Sequence, residues 1–151
     1  MNIFDEFTDI IKHIEREEIR YALVGGVAMA FYMEPRFTQD IDILIDPDDF
    51  EKIVRILENK GYFETAEPWT FKGTPLTLHR FLKVTGNDHM IIDLLIAGED
   101  RHFKIIRNAL EARSEYGIAH VAEKSDIIWL KRKRNSLQDQ ADIERLENEK
   151  D

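Results

Sequence analysis

The 151-residue chain is 43% hydrophobic and 34% charged, a composition typical of one folded domain and not of a disordered chain. It contains no cysteine, which excludes disulfide bonds and thiolate metal sites, and its net charge of −9 argues against a protein that holds nucleic acid mainly through phosphates. Because no apolar run approaches the roughly 20 residues that cross a bilayer, and the N-terminus is acidic, we expect a cytoplasmic protein with no membrane partner.

The first half of the chain alternates between helical and strand-like patterns. Apolar residues recur at helical spacing near the start, and two short runs rich in β-branched residues follow. The predicted elements are a helix over 3–17, a strand over 21–24, a helix over 27–33, a strand over 40–45, and a helix that begins at Asp46-Pro47 and ends at Gly61.

The second half begins with an irregular segment at 66–75, which contains two prolines and a glycine and is predicted to be a loop near a ligand. Two apolar runs then flank Gly86-Asn87-Asp88, which favours a turn and therefore a hairpin. The remaining predicted elements are strands over 76–84 and 89–97, a helix over 99–112, a strand over 117–121, and two helices from 123 onward that divide near Asn135-Ser136.

This order of elements predicts an α/β (α+β) domain, in which helices flank a small mixed β-sheet. We expect a single domain over 1–151, with a core at about 20–122 and C-terminal helices at about 123–149.

Three aspartates are the strongest candidates for chemistry. Asp40 and Asp42 lie two residues apart on a predicted strand, so their carboxylates share one face. Asp93 interrupts the most apolar stretch of the chain, where a charge is costly unless it is paired or coordinated. If the two strands are neighbours, the three carboxylates suit magnesium or manganese and two-metal phosphoryl transfer. The alternatives are exposed strand-edge residues for the first pair and a structural buried carboxylate for Asp93.

Two further features lie close to these aspartates in the sequence. Gly25 and Gly26 follow a strand and open a helix, where they either let the backbone approach an anionic ligand or simply form a tight turn. Arg36 and Thr38 directly precede the aspartates. An arginine suits a phosphate, although its alternative role is a salt bridge with a nearby acid.

Together these residues resemble the nucleotidyltransferase superfamily. The shared pattern is Leu23-Val24-Gly25-Gly26 after a strand, then Arg36-x-Thr38-x-Asp40-x-Asp42, then the later Asp93. The arginine-threonine form is similar to toxin nucleotidyltransferases of the abortive-infection type and to small lincosamide nucleotidyltransferases. The tail, Leu130-Lys131 followed by Asp139 to Ile143, is similar to that of the same broad group.

The resemblance implies the nucleotidyltransferase fold and a role for each matching residue. Two Mg²⁺ or Mn²⁺ ions would be held by Asp40, Asp42 and Asp93. Asp93 would also orient or deprotonate the attacking hydroxyl.

The triphosphate would contact Gly25, Gly26, Arg36 and Thr38, and Lys131 would reach the phosphates or the acceptor. Gly26 departs from the pattern, because many members have a serine there that contacts a phosphate.

The implied reaction moves a nucleoside monophosphate from a nucleoside triphosphate to a hydroxyl and releases pyrophosphate. The acceptor is left open among RNA, a protein and a small molecule, and a toxin-like role would imply an antitoxin-type partner. Two alternatives remain: a catalytically inactive nucleotide-binding or regulatory protein on the same fold, and a metal-dependent phosphohydrolase on a different fold.

Overall fold

The computed structural model describes residues 2–32, 40–114 and 117–148. The α-helices in these ranges are α1 (Ile3–Arg16), α2 (Gly25–Met29), α3 (Phe50–Asn59), α4 (Asp100–Asn108), α5 (Lys124–Arg134) and α6 (Leu137–Asn148). The strands are β1 (Tyr21–Val24), β2 (Asp40–Ile45), β3 (Phe63–Glu64), β4 (Trp69–Thr70), β5 (Thr77–Thr85), β6 (Asp88–Ile96), β7 (Leu110–Ser114) and β8 (Gly117–Val121). None of the helices in these ranges combines the length and apolarity needed to cross a membrane.

The strands form one mixed sheet, which confirms the predicted fold class. Its order is β3-β5-β6-β2-β1-β8-β7, and β4 pairs with β5 beside β3. β2 runs parallel to β6 and β1 runs parallel to β8, whereas the other pairs are antiparallel. The two strands of the predicted hairpin, β5 and β6, are joined at Gly86-Asn87 as expected. The centre of the sheet is therefore β6-β2-β1.

Helices α1 and α3 pack against each other, and a hydrogen bond from Lys83 of β5 to Glu6 places α1 on one face of the sheet. Ile41 and Ile43 point to that face and are fully buried, as the alternation in β2 predicts. The Tyr62 hydroxyl and the Lys83 ammonium both donate hydrogen bonds to Glu6 of α1, at 2.7 and 2.8 Å. These bonds join the end of α3 and strand β5 to α1, so the opposite face of the sheet remains for the aspartates.

Two predicted helices are wrong in their extent. The helix predicted over 27–33 begins earlier, at Gly25, and ends at Met29; residue 33 lies outside the described ranges. The helix predicted over 99–112 ends at Asn108, because residues 110–114 pair with β8 as an edge strand. Residues such as Glu111 and Ala112 suit a helix, but the cross-strand hydrogen bonds outweigh that local preference.

A buried ion cluster joins the two C-terminal helices, which divide at Asn135-Ser136 as predicted. The Lys131 ammonium donates a hydrogen bond to Asp142 at 3.1 Å and lies 3.8 Å from Asp139. Arg134 donates two further bonds to the Asp139 carboxylate, at 2.8 and 2.6 Å. All but Arg134 are buried, and buried charges of this kind are tolerated only when they are paired.

Asp139 also helps to cap the start of α6. Its carboxylate accepts hydrogen bonds from the backbone and hydroxyl of Ser136, and its own N–H donates to the Ser136 hydroxyl. This is the reciprocal arrangement of a capping box. Burial alone would raise the pKa of Asp139, but the hydrogen bonds from Arg134 and Ser136 outweigh it and hold that pKa at about 2.

We expect Lys131→Met to lower the free energy of unfolding by roughly 3 kcal/mol, because it leaves buried carboxylates without one of their cations. The matched control is Arg132→Met, which removes a cation one residue along from an exposed pair with Glu147 and should cost less than about 1 kcal/mol. Urea denaturation at pH 7 measures both changes. Equal losses would show that the buried cluster contributes no more than a surface pair.

Candidate active site

The central strands place the predicted carboxylates on one face of the sheet. In the parallel pair β2–β6, Asp42 lies directly opposite Asp93, and Asp40 lies two residues before Asp42 on the same face. Neighbouring strands are about 4.8 Å apart, so the two opposed carboxylates share one small region. Asp93 is only 3% exposed, and Asp40 and Asp42 are half-buried.

Gly25 fits against the Asp42 carboxylate. Its backbone φ is +74°, which favours glycine, and a Cβ placed on it would lie 1.9 Å from Oδ2 of Asp42. Val24 pairs with Asp42 across β1–β2, so the strand that precedes the glycines is the one beside the aspartate. Gly25 is therefore required by the position of Asp42, in addition to any contact with a ligand.

The surroundings of Asp42 disfavour the ionised form of its carboxylate. Burial raises its pKa to about 7, and the negative charges of Asp93 and Asp40 act in the same direction. Arg134 and Lys131 of α5 oppose that rise only in part. A divalent cation would stabilise the ionised carboxylate, and hard oxygen donors are those that magnesium prefers.

Arg80 lines the same cleft but was not predicted from the sequence. It lies opposite Asp93 in the antiparallel pair β5–β6, and its guanidinium donates two parallel bonds, from Nε to Oδ1 at 2.9 Å and from Nη2 to Oδ2 at 3.0 Å. The same guanidinium lies 5.4 Å from the ring centre of Trp69. A single arginine in a predicted strand carries no signal for this role until the strand register is known.

These side chains line a cleft of about 240 Å³ on the sheet face opposite Ile41. The segment predicted to be a loop, 66–75, contains the short strand β4, and its residues Trp69 and Phe71 border the cleft. The residues that line the cleft are Gly25, Gly26, Asp40, Asp42, Trp69, Phe71, Leu78, Arg80, Asp93, Lys131 and Arg134.

The other predicted ligand contacts are placed unequally. Gly25 and Gly26 line the cleft, whereas Arg36 and Thr38 lie outside the described residues.

Lys131 also lines the cleft, but its ammonium is buried and bonded to Asp142. The more exposed cation of α5 on the cleft is Arg134, which was not among the predicted ligand contacts. Across residues 2–32, 40–114 and 117–148, no three acidic or histidine side chains converge as a ready-made metal site.

The raised pKa of Asp42 predicts a pH-dependent effect on stability. In the folded protein this carboxylate binds its proton more tightly than in the unfolded chain, so its contribution to stability is full below about pH 4 and is lost as pH rises to about 7. We expect Asp42→Asn in chelator to raise the free energy of unfolding at pH 8 by on the order of 2 kcal/mol, with no gain at pH 4.

Thermal denaturation at pH 4, 6 and 8 measures this change. The exposed Asp48→Asn is the control that should not show it. A gain that is the same at every pH would contradict the explanation.

Comparison with solved structures shows the fold. A Thermotoga maritima protein described as a nucleotidyltransferase has a TM-score of 0.65 at 12% identity, with 95% of this chain and 91% of that chain covered. ANT(2″)-Ia in complex with adenylyl-2″-tobramycin has a TM-score of 0.58 at 13% identity (95% and 86% covered). The lincomycin-bound lincosamide adenylyltransferase LnuA has a TM-score of 0.57 at 15% identity (95% and 96% covered). The suggestion of a phosphohydrolase on a different fold is therefore wrong as to fold.

Sequence comparison gives the family. A search of curated protein sequences found no match to this chain. A family model described as an uncharacterised nucleotidyltransferase matches residues 1–121, which is most of the chain and includes all three aspartates and both glycines. The chain has the fold of this superfamily, as the motif predicted, and it belongs to that nucleotidyltransferase family.

Proposed function

We propose that this protein is a metal-dependent enzyme that transfers a nucleoside monophosphate from a nucleoside triphosphate to a hydroxyl group. The observation that carries the proposal is the register of β2 and β6, which sets Asp42 opposite Asp93 in a cleft that Gly25 and Gly26 also line. Family membership is consistent with the reaction class, but one fold hosts many activities, so the residues have to carry the mechanism.

The carboxylate oxygens of Asp40, Asp42 and Asp93 are the kind of hard ligand that magnesium and manganese prefer. Asp40 and Asp42 would hold the ions, and Asp93 would help to hold one of them. Burial, followed by the negative charges of Asp93 and Asp40, raises the pKa of Asp42, and a divalent cation would favour the ionised form of this carboxylate. Bound metal would neutralise the phosphates and lower the barrier to displacement at phosphorus.

The chain's own residues would position the reactants. Gly25 and Gly26 would place their backbone beside the phosphates, and Arg134, which also lines the cleft, carries a positive charge. By resemblance, Arg36 and Thr38 would add contacts to the triphosphate. Asp93 would accept a hydrogen bond from the acceptor hydroxyl and take its proton as the oxygen attacks the α-phosphorus. The bond from that phosphorus to the bridging oxygen breaks, and pyrophosphate leaves.

We favour a small molecule as the acceptor. Two neighbours in fold are described with antibiotics, one in complex with adenylyl-2″-tobramycin and one bound to lincomycin. The net charge of −9 disfavours a polyanionic acceptor such as RNA and favours a neutral or cationic one. A protein acceptor, a toxin-like role and an antitoxin-type partner rest on the sequence resemblance alone.

The alternative is an inactive nucleotide-binding or regulatory protein on the same fold. Two observations favour it: Gly26 stands where many relatives have a phosphate-binding serine, and Arg80 already engages both oxygens of Asp93. Tight nucleotide binding without transfer to any acceptor would support this alternative.

The test is transfer of label from each of four α-labelled nucleoside triphosphates to aminoglycosides, lincosamides, RNA and protein, with magnesium or with chelator. We expect magnesium-dependent labelling with one pyrophosphate released per transfer, and a loss of at least about 100-fold in Asp42→Asn. The control Asp48→Asn removes an exposed carboxylate nearby and should retain activity. Transfer that persists in Asp42→Asn, or release of inorganic phosphate instead of pyrophosphate, would contradict the mechanism.

A further inference from the structure

Arg80 occupies the carboxylate that a metal ion would need. Its two hydrogen bonds engage both oxygens of Asp93, in the planar fork geometry that suits a carboxylate best. A divalent cation at Asp93 would compete for the same oxygens, and it would also lie next to a positively charged guanidinium. The two cations therefore oppose each other at this residue, both sterically and electrostatically.

Arg80 has another anionic partner within the same cleft once a substrate is bound. Its side chain is 37% exposed, whereas that of Asp93 is 4% exposed, so the arginine is the partner with room to move. It lies in the same cleft as Gly25 and Gly26, where the phosphates of a triphosphate would lie. An arginine engages a phosphate through the same planar fork that it uses for a carboxylate.

Trp69 provides a support for the guanidinium during such a movement. Strand β4 pairs Trp69 with Leu78, two residues before Arg80, and places the ring 5.4 Å from the guanidinium carbon. A cation–π contact of this kind stabilises the guanidinium whether or not Asp93 holds it. Trp69 is also 38% exposed and borders the cleft, so its fluorescence should report the position of Arg80.

We propose that Arg80 exchanges partners: it holds Asp93 until a divalent cation binds there, and it then contacts the phosphates of the substrate. This inference rests on the proposed function and makes Arg80 a residue that would bind the substrate directly. Arg80 would keep the acidic cluster compensated before the ions bind and would give the bound triphosphate an additional donor.

The metal arm of the test titrates Mn²⁺ alone into the wild type, Arg80→Gln and Arg80→Lys by calorimetry. Lysine keeps the charge but cannot form the two-bond fork, so exchange predicts that both variants bind Mn²⁺ roughly fivefold or more tightly than the wild type. If Arg80 weakened metal binding only through its positive charge, then only Arg80→Gln would bind Mn²⁺ more tightly. In an Asp93→Asn background, the exchange predicts that Arg80→Lys no longer changes Mn²⁺ affinity. An equal Mn²⁺ affinity for the wild type and Arg80→Lys overturns the exchange.

The phosphate arm uses magnesium tripolyphosphate, which avoids any choice of base. We expect Arg80→Gln and Arg80→Lys to bind it several-fold more weakly, the opposite sign to their gain for Mn²⁺. In a Trp129→Phe background, Trp69 is the remaining tryptophan. Its emission should change on addition of magnesium when Arg80 is present, but not in the Arg80→Gln variant. Unchanged tripolyphosphate affinity in both variants would overturn the transfer of Arg80 to phosphates.

The Mn²⁺ titration and the tryptophan signal need no acceptor and no turnover. They therefore test the exchange of Arg80 independently of the proposed enzymatic activity. If both behave as expected while no acceptor is ever labelled, then the exchange is supported and the enzymatic proposal fails. If labelling occurs but Arg80→Lys matches the wild type in Mn²⁺ affinity, then the enzyme is supported and the exchange fails.

Discussion

The constraint on which the structure depends is the placement of two carboxylates opposite each other across the parallel pair β2–β6. Asp42 and Asp93 lie at the centre of the sheet, where burial makes their repulsion costly. The surroundings offset this cost on each side: Gly25 leaves room for the Asp42 carboxylate, and Arg80 binds Asp93 through a two-bond fork. The cation that would complete the compensation is the one that the proposed chemistry uses.

The C-terminal helices contribute to the site as well as to the fold. The family match covers residues 1–121, yet Lys131 and Arg134 on α5 supply positive charge that acts on Asp42. Both cations are held by Asp139 or Asp142 of α6. The positions of these two cations at the cleft therefore depend on how α5 and α6 pack together. A change in α6, far from the aspartates in sequence, is therefore expected to alter the site.

The sequence predicted where the three aspartates lie in the sheet, but not which side chains contact them. Alternation in β2 placed Asp40 and Asp42 on one face, and a lone charge in an apolar run marked Asp93, because each signal is local to its own strand. Arg80 could not be found this way, since its role depends on the register between β5 and β6. The bond between Arg134 and Asp139 could not be predicted from the sequence either, because it joins two separate helices. The strand at Leu110–Ser114 was missed for a similar reason, because its stability comes from pairing with β8.

The central claim is that Asp40 and Asp42 bind metal and nucleotide together. The most direct measurement is a thermal shift of the wild type with each of four nucleoside triphosphates, with and without magnesium, beside Asp40→Asn/Asp42→Asn. The matched control is Asp46→Asn/Asp48→Asn, which changes the second Asp-x-Asp pair of the chain outside the cleft. We predict a magnesium-dependent rise in Tm for at least one nucleotide that the control retains and the site variant loses. A rise that survives in the site variant, or that does not depend on magnesium, would contradict the account.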